Sequence, residues 1–235
     1  KGLATERGGR ASHSAIVGRA AGIPGVAGLD NLTTEVSGGY AHTCILAATG
    51  TASCWGLNTY GQIGDGTTGI AASPAAVVGL TDAVQIAAAR SHTCAARASG
   101  AVACWGCNVS GELGNASTSS AALPVTVLGL TDALEVATGG DCGNPLGGGH
   151  SCARRATGEV VCWGYGQNGQ LGDGTFDARR TAPGAPVSGL NDAIQISAAA
   201  GIAGYTCAVR RTRQVTCWGE TPGSADLSSL ADADL

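Results

Sequence analysis

Methionine is absent, phenylalanine occurs once, and aromatic residues make up only 4% of the 235 residues, so the core cannot rest on large rings. It has to come from Val, Ile, Leu, Ala and the four tryptophans. Charge is scarce as well, at 13% of residues with a net −4, which leaves no basic footprint for nucleic acid or an anionic membrane. No apolar run approaches the roughly eighteen residues of a membrane span. No secretory leader is visible, and the chain opens on Lys1, which leaves room for sequence upstream.

What is abundant is glycine and cysteine. Thirty-nine glycines exclude a chain made mostly of long helix, since each costs about 1 kcal/mol against Ala in a helix interior. Eight of the ten cysteines fall into four pairs of identical spacing: Cys44 with Cys54, Cys94 with Cys104, Cys152 with Cys162, and Cys207 with Cys217. Metal-binding cysteines usually stand two to four residues apart, so a disulfide framework fits this spacing better. Such a framework places the chain in an oxidising compartment: extracellular, periplasmic or at the cell surface.

Four segments align on these pairs: HTCILAATGTASCWG from His42, HTCAARASGAVACWG from His92, HSCARRATGEVVCWG from His150 and YTCAVRRTRQVTCWG from Tyr205. The first three are followed by the turn-rich stretches NTYGQIGDGT, NVSGELGNAS and GQNGQLGDGT, then by a Pro-containing segment and GLTDAVQIA, GLTDALEVA or GLNDAIQIS. Internal repetition of this length indicates an array of like units. Within each unit, the residues read as short antiparallel strands joined by tight turns. A three-residue loop of Ala48, Thr49 and Gly50 puts Gly where positive φ is needed and sets Cys44 directly opposite Cys54. Opposed residues in a non-hydrogen-bonded pair are close enough for a disulfide, so each staple is expected within its own hairpin. The fourth hairpin carries Thr212-Arg213 where the others have Gly, which leaves its turn less defined.

The stretch from Trp55 to Gly66, WGLNTYGQIGDG, resembles the regulator-of-chromosome-condensation repeat, W-G-x-N-x-x-G-Q-L-G-x-G, and Trp163 to Gly174 resembles it with one residue more. Gly38 to His42 supplies the family's G-G-x-H with one residue extra. The resemblance implies an all-β fold: a partial β-propeller of about four blades with intra-hairpin disulfides over residues 29–220, followed by an acidic tail at 221–235. The family closes a ring of about seven blades. This arc is therefore a fragment, a component of an oligomer or an open array, its ring completed by further sequence or by another chain.

Outside the pairs, Cys107 and Cys142 are expected to bond to each other and staple neighbouring blades, ahead of a metal or redox pair. No metal and no cofactor is expected. His42, His92 and His150 share one repeat position, which suits a structural hydrogen bond better than catalysis. Asp65 and Asp173 read as turn formers, because the further carboxylates of a calcium loop are missing. Asn31, Asn108 and Asn115 head N-x-S/T triplets, which matter only in a glycosylating host.

The first 28 residues do not recur. Ser12 is placed to cap a short helix over residues 13–21, ended by Gly22 and Pro24. GGRASHSAIVGRAAGIPGVAG resembles the phosphohistidine motif of the mobile domain of phosphoenolpyruvate-utilising enzymes. The resemblance makes His13 the phosphoryl acceptor, supported by Gly8, Gly9, Ser12 and Arg19, at a helix N-terminus whose N–H groups favour an anion. The same residues also loosely echo the GGGHSCA of the third hairpin. Two functions are in view. One is a secreted, non-enzymatic interaction scaffold whose blade turns and Cys142 insertion meet an unidentified protein partner. The other is a phosphotransferase carrying phosphohistidine at His13, with its partner domains elsewhere.

Overall fold

The computed structural model describes residues 33–142, 148–199 and 204–219. The helix expected over residues 13–21, His13 with its supporting residues, and the acidic tail lie outside those residues.

Four antiparallel sheets follow one another along the chain. The first joins β1 (Thr33–Gly38), β2 (His42–Ala47), β3 (Ala52–Gly56) and β4 (Ala71–Ala76) in that order, and the second joins β5 (Ala83–Ala88), β6 (His92–Arg97), β7 (Val102–Gly106) and β8 (Ala121–Thr126). The third has β9 (Ala133–Gly139), β10 (His150–Arg155) and β11 (Val160–Gly164), with single bridges Val161–Pro186 and Gly164–Arg180 where its siblings carry a fourth strand. The fourth has β12 (Ala193–Ala198), β13 (Tyr205–Arg210) and β14 (Val215–Gly219). This is the expected all-β partial propeller.

Hairpin geometry follows from the turn residues. The Gly50 N–H donates to the Ala47 carbonyl at 2.9 Å, and Ala47 donates to Thr51 across the three-residue loop. Gly50 has φ +83°, and a β-carbon there would lie 2.7 Å from the Thr81 carbonyl oxygen, so both conformation and space demand glycine. The loop thereby puts Cys44 opposite Cys54, Cys94 opposite Cys104, Cys152 opposite Cys162 and Cys207 opposite Cys217. All four pairs are bonded, with α-carbons 4.0–4.1 Å apart, the close approach of a non-hydrogen-bonded pair.

The fourth hairpin makes the same turn without the glycine: Arg213 sits at φ +68° and donates to the Arg210 carbonyl. A left-handed conformation costs an L-residue about 1–2 kcal/mol. Arg213→Gly should therefore stabilise the protein by about 1 kcal/mol, raising the thermal midpoint by about 2–4 °C. An unchanged or lower midpoint in a thermal melt would show that the strain is not there.

No single core serves the whole molecule. Three apolar clusters lie between successive sheets, such as Cys94, Val102, Leu113 and Val127 of the second against Val136, Ala153, Val161 and Trp163 of the third. Alanine on the facing strands lets the sheets come close, and one tryptophan per blade fills the remaining depth. Trp105 and Trp163 are fully buried, while Trp55 and Trp218 on the end blades are only partly so.

Candidate functional site

Polar groups of the repeat converge on the seams between blades. The His42 Nε2 lies 2.9 Å from the Thr93 hydroxyl, which donates to the Gln62 carbonyl at 3.0 Å. That hydroxyl proton is therefore engaged, so His42 donates from Nε2 and is the neutral Nε2–H tautomer. His92 repeats the arrangement with Ser151 at 3.0 Å and the Glu112 carbonyl beyond it, and His150 meets Thr206 at 2.7 Å. The indole N–H groups of Trp105, Trp163 and Trp218 donate to the carbonyls of Gln62, Glu112 and Gln170 in the preceding blade. These histidines are seam residues.

Burial sets their titration. It pushes His42 and His150 down to about 4 and His92 to about 3, the last also through His150 and His42 on either side. Charging the ring would place a second proton on Nδ1, and at His42 and His150 that atom is buried without a hydrogen-bond partner among the described residues.

A second seam element escaped sequence reasoning. Glu35, Gln85 and Glu135 accept hydrogen bonds from the backbone N–H of Ile86, Val136 and Ile196 on the first strand of the next blade, at 2.9, 2.8 and 3.2 Å. Burial raises the pKa of Glu35, against the lowering effect of its bond from Ile86. The signal was present in VQI and LEV of the repeat, but only the stacking gives that polar residue an unpaired amide to meet.

Beside this residue the strand pairing skips one position, a bulge at Val84, Leu134 and Ile194. The three apolar side chains are 48–54% exposed. Val84 and Leu134 flank a shallow groove of about 450 Å³ along the hairpin-turn rim, floored by Ser99, Gly100 and Ala133. An apolar residue exposed at one structural position in three of the four blades, with Thr34 at that position in the first, is the candidate contact surface.

The turns expected to form that surface are placed differently. Asn58, Gln62 and Ile63 are fully buried, as are Gln170 and Asn108, and Gly64 packs against the Trp105 indole. These stretches are mortar between blades, because their carbonyls and side chains close the seams, and only tips such as Tyr60 reach solvent. Asn108 is also spent: its amide donates to the Ser117 and Ser119 carbonyls and accepts from the Leu113 N–H, which removes it as a glycan acceptor. Asp65 and Asp173 close local turns by accepting from Thr67 and Thr175. Cys107 and Cys142 are joined, with α-carbons 6.1 Å apart, and tie the loop after β7 to the loop after β9.

Residues 50–96 and 99–143 match the family model "Regulator of chromosome condensation (RCC1) repeat", and a second model of that repeat matches 83–112 and 146–170. Residues 1–50 match the model "PEP-utilising enzyme, mobile domain". The described part of that match, from Thr33 onward, is β1 and β2 of the first blade. No curated protein matches the chain significantly by sequence. Among solved structures, human WBSCR16 is similar at TM-score 0.67 and 22% identity, covering 80% of this chain and 47% of its own. Yeast RCC1 (Prp20), solved bound to Kap60, is similar at TM-score 0.66 and 18% identity over 83% of this chain and 45% of its own. Prp20p from Saccharomyces cerevisiae, described with its binding to Gsp1p and histones, gives 0.61 and 19% over 84% and 46%. The chain thus spans about half the length of these structures, and identity at this level shows the fold alone.

Proposed function

The repeat region of this chain belongs to the regulator-of-chromosome-condensation repeat family, and from that premise we propose that it is a non-enzymatic protein-interaction scaffold of secreted type. One observation carries the reading. The histidines and Glu35, Gln85 and Glu135 are consumed in blade-to-blade bonds, while Val84, Leu134 and Ile194 stay half exposed along one rim. Regularly spaced apolar side chains on a rigid scaffold suit a protein surface better than a small substrate. A disulfide in every blade supports an oxidising location, since such bonds do not persist in a reducing cytoplasm.

The test is a triple variant, Val84→Asp, Leu134→Asp and Ile194→Asp. Because these positions already face solvent, the fold should survive with an unchanged circular dichroism spectrum. Proteins that the immobilised wild type retains from a culture supernatant or envelope extract of its source should be retained at least tenfold less. Equal retention would place the contact surface elsewhere.

A second reading is favoured by the mobile-domain match: phosphoryl transfer from phosphoenolpyruvate to His13. Incubation with phosphoenolpyruvate and a pyruvate-binding domain should then add an acid-labile phosphate that His13→Ala abolishes. A mass unchanged in the wild type would remove this reading.

A further inference from the structure

The second repeat departs from its siblings at three places. Cys107 stands where they have Leu57 and Tyr165, Glu112 where they have Gln62 and Gln170, and the loop after β9 is lengthened by the insertion that brings Cys142. Residues copied in every blade maintain the stack, whereas these three, drawn from two neighbouring blades, each occur once. These departures meet. The Sγ atoms of Cys107 and Cys142 and a carboxylate oxygen of Glu112 all lie within 4.8 Å of one another.

Glu112 is built into the cluster. It is fully buried and accepts from the Ser110 N–H at 2.7 Å through Oε2, while its Oε1 has no hydrogen-bond partner among the described residues. Gly149 leaves it space, since a β-carbon there would lie 2.8 Å from the Glu112 Cγ. The amide nitrogens of Gln62 and Gln170 are also without a partner among the described residues, but no cysteine stands at the equivalent of Cys107 in their blades. A buried carboxylate within 4.8 Å of two sulfurs is a poor arrangement for a plain crosslink, since a disulfide offers it no hydrogen bond.

We propose that Cys107, Cys142 and Glu112 form a thiol-gated site for a zinc-type divalent cation, closed as a disulfide when oxidised and metal-binding when reduced. The exchange balances. A dithiol reductant gives two protons and two electrons to the Cys107–Cys142 bond and itself becomes a disulfide. The two thiols and the Glu112 carboxyl then release their protons as the cation binds two thiolate sulfurs and one carboxylate oxygen. Zinc holds sulfur at about 2.3 Å and oxygen at about 2.0–2.2 Å, so tetrahedral donors lie about 3.5–4 Å apart, a spacing this cluster reaches with small movements. Three protein donors leave the fourth position open. Cys142 is partly exposed while Cys107 is fully buried, which gives both reductant and cation their approach.

The experiment is differential alkylation of the full chain, mapped by mass spectrometry, after stepwise reduction with a dithiol and removal of the reductant. Equimolar Zn²⁺ should slow alkylation of Cys107 and Cys142 at least tenfold and leave any opened Cys207 and Cys217 unprotected. Glu112→Gln restores the residue of the sibling blades and should fold. It should weaken Zn²⁺ binding, read by competition with a chromophoric chelator, by about tenfold or more. Equal alkylation with and without Zn²⁺, or equal protection in Glu112→Gln, would overturn the proposal and leave a structural crosslink.

Discussion

Acidification from pH 7 to pH 4 should unfold this protein, with a net loss of roughly 6 kcal/mol of stability. Above pH 6.5, His42, His92 and His150 are neutral in both folded and unfolded chains, and they impose no penalty. Below it the unfolded chain takes up protons that the folded chain refuses until about pH 4, or about 3 for His92. Each ring then costs up to about 1.4 kcal/mol per pH unit, or about 10 kcal/mol for the three by pH 4. Glu112 acts in the opposite sense. Burial raises it to about 7, against the lowering effect of nearby backbone N–H groups, so the folded chain holds a proton there that the unfolded chain releases until roughly pH 4.3. That returns about 4 kcal/mol over the same range. Urea unfolding at a series of pH values should therefore report an uptake of about two protons between pH 6 and 5, and about three in Glu112→Gln. Since whole-domain stability is typically about 5–15 kcal/mol, the acid midpoint should fall between pH 5 and 4. Stability that stays level from pH 7 to 5 would mean the histidines are not sealed in the seams.

The second large effect is expected at Trp163. Trp163→Ala should cost about 4 kcal/mol, because it opens a cavity in the cluster formed by Val102, Leu113, Val127 and Val161 and removes the indole bond to the Glu112 carbonyl at 2.7 Å. Trp163→Phe separates the two contributions and should cost about 1–2 kcal/mol, chiefly for the lost hydrogen bond. Trp55→Ala, at the same repeat position in the first blade but only partly buried, should cost less than half as much as Trp163→Ala. Denaturant midpoints followed by circular dichroism would check the order. Equal losses at Trp55 and Trp163 would contradict a stack whose energy lies in contacts between neighbouring blades.

The residues show how far reading the chain could go. The hairpin at Cys44–Cys54 was legible because three loop residues, one with positive φ, fix both its register and its crosslink. The structural role of His42, His92 and His150 was legible from repetition, but their acceptors Thr93, Ser151 and Thr206 were not, since those lie more than fifty residues along the chain. Asn108 headed an N-x-S/T triplet and turned out to be a buried turn organiser. The NTYGQIGDG stretch looked like a contact loop and turned out to close a seam. Glu112 drew no notice beside the cysteines it meets, because a single Glu-for-Gln difference carries no meaning until Cys142 is brought across to it.

Left to itself, the amino-acid order settles whatever acts over about ten residues. Glycine at a loop forces the turn, the turn opposes two cysteines, and recurrence of the unit dictates an array of small sheets. What stacking alone decided is which face of each hairpin goes dark and which groups find each other there. Seam partners stand tens of residues apart, and an indole, an imidazole or a carboxyl acquires its burial, its partner and its proton affinity only from the blade laid against it.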